Sequence, residues 1–351
     1  MIKLTTKQQK IATIILEKGK IQSSALHAEM IKQGEDISLV TIKRALSEMA
    51  GVGVLVVAGS GRSTSYDIGT LGRIFAEVDA HKYCAIEPDK RYGLNRYNFD
   101  LLSGLPPDIF TSEELKILDS ATAEYKQRTK DLPATIQKKE SERLIIELSW
   151  KSSKIEGNTY TLLDTEKLIL ENKAALGKTQ QEAQMILNHK EAFNFIREHT
   201  AQFKTITQKN LEELHAMLVK DLSVGLGLRE KPVGVVGSVY RPLDNIYQIT
   251  EAINVLSAAV SRMSTSYAKA LMALLGIGYI QPFEDGNKRT SRLMANALLL
   301  AHGSAPLSYR SVDENDYREA MLVFYELNSI MPFKKIFIAQ YNFAAQNYAV
   351  K

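Results

Sequence analysis

Apolar side chains recur at helical spacing along most of the chain, and the exceptions fall in two short stretches. Ile11, Ile14 and Ile15 give a first helix an apolar face. Ser23 or Ser24 can cap a second helix running through Met30, and Ser38 a third through Met49, with Gly51 to stop it. Residues 52–57 and 65–68 then carry strand-forming side chains on either side of Gly59, Ser60, Gly61 and Arg62, a turn-rich tip. Residues 71–110 scatter Asp, Lys, Arg and Tyr without a period, which predicts a connector packing on the domain that follows. Helices resume at Thr111, whose spacing to Glu114 is that of a capping box before Leu115, Ile117 and Leu118. Another starts after Pro133, is amphipathic through Leu144, Ile145, Leu148 and Trp150, and meets Gly157 at its end. Residues 164–219 are helical again, with Thr179 and Thr207 as caps and His189 and His215 inside. The second exception, residues 232–242, replaces the helical pattern with β-branched residues and predicts a hairpin. Residues 267–279 then read as a buried helix; Leu293, Ala297, Leu298 and Leu300 mark another, and residues 313–327 and 333–348 complete the set. The expected fold class is mainly α, preceded by a small α+β module.

Composition narrows this picture without redirecting it. The chain has 351 residues, 45% hydrophobic and 24% charged, which suits two or three globular domains. A net charge of +4 argues neither for nor against nucleic acid. Cys84 is the sole cysteine, so an internal disulfide framework and a multi-cysteine metal site are excluded, and a reducing cytoplasm fits. The polar first ten residues do not read as a signal peptide, and the apolar run near residues 271–280 is too short to span a bilayer. A cytoplasmic protein without membrane contact is therefore expected.

Candidate chemistry concentrates at residues 280–292, between two apolar helical runs. Asp285, a Gly286-Asn287 turn and the cations Lys288, Arg289 and Arg292 stand together there. A loop feeding a helix N-terminus aims unpaired backbone N–H groups and the positive end of the helix dipole at whatever lies beyond, which suits phosphate. Arg289 and Arg292 are three residues apart on one helical face, where two guanidinium forks could hold successive phosphates while Asp285 holds a bridging Mg²⁺. Gly59 to Thr64 is not a second phosphate loop. Arg62 takes the place of the required Lys, and Val56 that of the first Gly.

The string Gln281-Pro282-Phe283-Glu284-Asp285-Gly286-Asn287-Lys288-Arg289, with Arg292 three residues on, resembles the signature of Fic-domain proteins, His-Pro-Phe-x-Asp/Glu-Gly-Asn-Gly-x-Arg. The match holds at Pro282, Phe283, Asp285, Gly286, Asn287, Arg289 and Arg292. Gln281 stands in place of the catalytic His, and Lys288 in place of a Gly. The resemblance implies a helical domain over roughly residues 105–345 that binds ATP and Mg²⁺ and transfers AMP to a hydroxyl of a target protein. In that scheme Phe283, Gly286, Asn287, Lys288, Arg289 and Arg292 surround the nucleotide, Asp285 binds the metal, and Gln281 and Asn287 hold the catalytic positions. His189, in Leu187-Asn188-His189, looks like a scaffold position of the family. Ser152 to Gly157 resembles the family's inhibitory motif, Ser/Thr-x-x-x-Glu-Gly/Asn, in which Glu156 would pair with Arg292 and block the γ-phosphate. The predicted hairpin takes the place of the flap that docks the target as an added strand, through Val236, Gly237, Ser238, Val239 and Tyr240.

Two departures leave alternatives open. Glutamine can hydrogen-bond but cannot accept a proton near neutrality, and losing a general base costs ~10²- to 10⁴-fold in rate. A non-catalytic ATP-sensing regulator is therefore an alternative to the AMP transferase. A Lys at position 288 occurs in the phosphotransferase branch of the family and allows a kinase-like variant; a docking domain without nucleotide is a fourth reading. Residues 1–70, with nine Lys/Arg against six Asp/Glu, resemble a winged helix-turn-helix. That resemblance would set Thr41, Lys43 and Arg44 on a recognition helix and Arg62 on the wing, with double-stranded DNA or a protein as partner. The domain plan is thus residues 1–70 winged helix, 71–110 connector, 111–160 helices ending in the inhibitory motif, and 161–351 Fic core. A homodimer that buries Glu156 would alter the inhibition.

Overall fold

A computed structural model describes residues 4–348 and is mainly helical. In chain order its elements are α1 Thr6–Lys18, α2 Ser23–Lys32, α3 Leu39–Gly51, β1 Leu55–Ala58, β2 Ser65–Ile68, α4 Thr70–Ile74, α5 Ala80–Cys84 and α6 Phe99–Ser103. There follow α7 Ser112–Thr129, α8 Ala134–Ile155, α9 Leu162–Glu171, α10 Gln180–Glu198, α11 Gln208–Leu218 and α12 Ile246–Arg262. The last are α13 Ser266–Ile280, α14 Asn287–Ala301, α15 Glu314–Leu327 and α16 Met331–Asn347. The chain divides into two compact units.

The first unit is the chain up to Leu105 together with Gly234–Arg241 and Arg318–Lys334. Ser38 caps α3 by accepting from the Thr41 amide. The cap predicted for α2 is corrected: Ser23 lies in the first turn, and Gln22 occupies the cap position without a side-chain bond. Strands β1 and β2 pair antiparallel, Leu55 opposite Ile68 and Ala58 opposite Ser65. Residues 52 and 53 are not strand, because they close the end of α3: the Val52 and Gly53 amides donate to Glu48 and Ala50 carbonyls. Ile11, Ile15, Leu26, Met30, Ile42, Leu46 and Leu55 form the core of this unit.

Residues 71–105 belong to this first unit: Ala76 and Tyr83 are buried in the same apolar cluster as Ile11, which also takes in Val323 and Leu327 of α15. One expectation fails here: residues 232–242 form no hairpin. Pro232 and Pro242 lack the N–H that a ladder needs, and the backbone between them bonds elsewhere. Arg91 donates to the Gly237 carbonyl at 2.9 Å, the Ser238 hydroxyl donates to buried Glu326 at 2.6 Å, and the Arg241 amide donates to the Asn95 carbonyl. Tyr240 is buried and stacks on Tyr325 with ring centroids 5.7 Å apart.

The second unit comprises Pro106–Val233, Pro242–Tyr317 and the chain from Lys335 on. Capping boxes open α7 at Thr111 and Glu114, α9 at Thr161 and Asp164, and α10 at Thr179 and Glu182. Helix α13 is buried nearly all round and packs along α14, so the loop joining them is held from both sides. On α13, Gly276 permits the close approach of α12: a Cβ there would stand 2.4 Å from Leu256 Cδ1, and Leu256 is fully buried. Gly276→Val is therefore expected to destabilise the protein by about 1–3 kcal/mol through overpacking, read as a lower denaturant midpoint at unchanged slope.

Candidate nucleotide site

The turn from Gln281 to Gly286 joins α13 to α14, and each of its bends has a local cause. Gln281 closes α13 in the left-handed region at φ 51°. Its Nε2 donates to the Gly278 carbonyl at 2.6 Å, and its own carbonyl accepts from Arg229 Nε at 2.6 Å. Arg229 is buried and also donates to the Lys231 and Leu243 carbonyls, so one side chain ties this turn to both flanks of residues 232–242. Asn287 brackets the turn, accepting from the Phe283 amide and donating to the Phe283 carbonyl, both at 2.8 Å. Phe283 is buried against His215, with rings 3.8 Å apart and nearly parallel. His215 Nε2 lies 2.9 Å from the Asp285 carbonyl, which can only accept, so in the neutral ring that nitrogen carries the proton. Burial pushes the His215 pKa down, against the Asp285 hydrogen bond, which raises it.

Gly286 has φ 79° and ψ 0° at the head of α14, a conformation that suits glycine. No side chain caps α14 and no acid occupies its first turn, so its opening N–H groups and its dipole remain open to an anion. Asp285 is 68% exposed and receives Arg289 Nη2 at 3.0 Å. Arg289 is otherwise buried, and its Nη1 has no hydrogen-bond partner among the described residues. A buried guanidinium nitrogen left unpaired is costly, and burial holds the Arg289 pKa below its ordinary value. A phosphate oxygen would satisfy it.

Arg292, one turn on, is fully buried and fully engaged. Its Nη2 donates to Glu156 Oε1 at 2.7 Å and to the Ser152 carbonyl at 2.9 Å, and its Nε donates to Ser152 Oγ at 2.9 Å. Tyr317 lies under the guanidinium, 5.5 Å from ring centroid to Cζ. Glu156, 20% exposed, also has Lys288 Nζ at 3.8 Å from its other oxygen. Burial pushes the Glu156 pKa up, but Arg292 and Lys288 outweigh it and hold the carboxyl below its ordinary range. His189 is buried with neither ring nitrogen partnered among the described residues; burial and the nearby Arg292 and Arg289 push it to about 3, so it is neutral.

The structure thus brings together Phe283, Asp285, Gly286, Asn287, Lys288, Arg289 and Arg292 with Ser152 and Glu156. Two participants, His215 and Arg229, have no signal in the sequence, because neither carries a local pattern that betrays a distant backbone partner. Val236, 97% exposed, and Ser238 and Tyr240, both anchored, lie in the first unit and present no strand edge. On α3, Lys43 and Arg44 are exposed, Arg44 with Glu48 at 3.8 Å; Thr41 is occupied by the Ser38 cap; Arg62 is exposed in the turn between β1 and β2. Among the described residues no group of three or more His, Cys, Asp or Glu side chains could hold a metal. Asp285 offers a single exposed carboxylate, which fits Mg²⁺ shared with substrate phosphates and not a protein-only cage.

A mainly helical fold with a phosphate-suited turn between two packed helices defines the class. The model of the Fic/DOC family matches residues 205–299, which include that turn. The chain is 30% identical over 175 residues to the protein adenylyltransferase Fic of Nematostella vectensis, spanning 48% of this chain and 41% of the relative. It is 31% identical over 212 residues to that of Culex quinquefasciatus, spanning 59% and 42%. The chain thus spans less than half the length of the curated relatives it matches. Among solved structures it is similar to Fic-1 from C. elegans, with 18% identity, TM-score 0.54 and coverage of 68% and 71% of the two chains. A Fic family protein from Desulfovibrio desulfuricans gives 20%, 0.57, and 69% and 75%. The fold is that of Fic-domain proteins.

Glu156→Gln keeps shape but removes the charge that Arg292 faces, so stability at neutral pH is expected to fall by about 1–3 kcal/mol. Because the folded pKa of Glu156 is depressed, its contribution is present above the ordinary carboxylate pKa and is lost as pH falls through the lowered folded value. Wild type and variant should therefore converge in acid, measured by urea unfolding across pH; a constant gap would contradict a charge-borne clamp.

Proposed function

We propose that this chain is a Fic-type ATP-binding protein that transfers AMP to a hydroxyl of a target protein and is restrained by Glu156. The observation that carries the reading is the Glu156–Arg292 contact at 2.7 Å on the helix that follows the phosphate-suited turn. A carboxylate on that guanidinium competes with phosphate for the same fork. At about 4 Å and an effective dielectric near 20, an ion pair has roughly 4 kcal/mol of Coulomb energy before desolvation. With Glu156 displaced, the α14 amides and the Gly286-Asn287 turn would receive the α-phosphate, and Arg289 and Arg292 the phosphates beyond. Asp285 would hold Mg²⁺, which supplies charge neutralisation when bound. Gln281 can orient a hydroxyl through its amide but cannot take its proton, so turnover is slower than binding suggests.

A second reading, an ATP-sensing regulator without transfer, is favoured by the Gln281 amide, which is engaged with Gly278. A kinase-like variant is favoured only by Lys288. Glu156→Gly given magnesium and ATP labelled at either the α or the γ position separates the three. The expected result is protein-bound label from α alone, rising ~10²- to 10⁴-fold when Gln281→His restores a base. Label from γ alone would make it a kinase, and tight uptake with neither label a sensor.

We also propose that the first unit acts as a winged helix on double-stranded DNA, in a cytoplasmic protein that can pair with a second copy. Three helices followed by a two-stranded hairpin, with Lys43, Arg44 and Arg62 exposed, support this. Binding to a random duplex should weaken steeply with salt. Replacing each contacting cation by Ala should flatten the slope of log K against log salt by roughly 0.9 per phosphate lost; binding that ignores salt would indicate a protein partner.

A further inference from the structure

Helix α8 delivers Glu156 at one end, while its other half lines a cavity of about 430 Å³ that the nucleotide site does not use. The opposite walls come from α9 and α10. Ile145 and Ile169, both buried, supply apolar surface. Three cations surround it, Lys138 from α8 and Lys190 and Arg197 from α10, against the one carboxylate of Glu142. Neither lysine has an ion-pair partner among the described residues, and Arg197 donates to neutral Ser141 Oγ at 2.8 Å. A volume of this size accepts a small organic molecule. Its lining offers cations to an anion and apolar surface to a short hydrocarbon.

The two halves of α8 are held differently. Toward Glu156 it is pinned by Glu147 to Arg310, by Lys151 to Glu314 and by Ser152 to Arg292. At its start Pro133 offers no side-chain cap, and no acid stands in the first turn. Lys138 on α8 and Lys190 and Arg197 on α10 all line the cavity, so an anion bound there would attract both helices.

We propose that this cavity binds a small amphipathic anion, a carboxylate or phosphate head on a short apolar body, and that the occupant holds α8 against α10 and keeps Glu156 on Arg292. The binding half stands independently; the regulatory half rests on the reading of Glu156 as inhibitor. The occupant would thus tighten the restraint.

The test uses the whole chain without nucleotide. Octyl phosphate below its micelle concentration is titrated by calorimetry, with inorganic phosphate and octanol as head-only and body-only probes. Octyl phosphate is expected to bind more tightly than either, at least tenfold more weakly to the Lys190→Gln/Arg197→Gln variant, and to slow hydrogen exchange of the amides at residues 152–157. Both replaced side chains reach solvent and glutamine sustains a helix, so an unchanged circular dichroism spectrum is expected. No binding, equal binding of octanol, or equal affinity in the variant overturns the site. Saturation that leaves exchange at residues 152–157 unaltered overturns the regulation. Magnesium-ATP uptake by Glu156→Gly, measured without octyl phosphate, reports on the nucleotide reading by itself.

Discussion

A fully buried guanidinium must be neutralised by something, and in this molecule the Arg292 side chain meets that demand with Glu156, Ser152 and the ring of Tyr317. Buried charge without a partner is among the most expensive arrangements a fold can hold. The position of α8 is therefore not independent of the chemistry at the α13–α14 turn. Whatever replaces Glu156 must bring negative charge of its own, and a phosphate does so. In the proposed reading, restraint and substrate capture are two occupancies of one fork. Lys288 extends the same logic: where the family pattern has a Gly without charge, this chain adds a cation that also faces Glu156, so the carboxylate answers to two positive groups.

The turn itself is fixed by hydrogen bonds within the chain. Asn287 bonds Phe283 in both directions, His215 holds the Asp285 carbonyl, and Arg229 holds the Gln281 carbonyl. Asp285 carries its carboxylate into solvent, and Arg289 keeps a buried nitrogen without a hydrogen-bond partner among the described residues. Preorganised donors aimed at an anion lose little freedom when it binds. The same bonding argues that Gln281 is not a displaced catalyst waiting to swing in, since its amide is committed to the end of its own helix.

Much of this was legible in the amino-acid string because the signals were local. Thr111, Thr179 and Thr207 announce helix starts through bonds three residues long, and the run from Phe283 to Arg292 keeps its phosphate-suited residues within one turn and one helix start. The inhibitory pairing was readable only through resemblance, because Glu156 and Arg292 are separated by most of the helical domain. Where local pattern and distant partner disagreed, the partner prevailed. Val235, Val236 and Val239 favour a strand, yet flanking prolines and the competing hold of Arg91, Asn95 and Glu326 leave residues 234–241 irregular. Residues 71–105 looked like a linker because their apolar positions follow no helical period, but Ala76 and Tyr83 are buried in the core beside Ile11.

The segment that resembled a target-docking flap is fastened within the same unit as the three-helix and hairpin module, through Glu326, while the bonds of Arg229 grip the carbonyls of Lys231 and Leu243 on either side of it. Arg229 also holds the Gln281 carbonyl, so the ends of that segment and the signature turn share one buried side chain. The two proposed readings, transfer of AMP and sensing of ATP, draw on the same turn. They differ in whether position 281 can accept a proton.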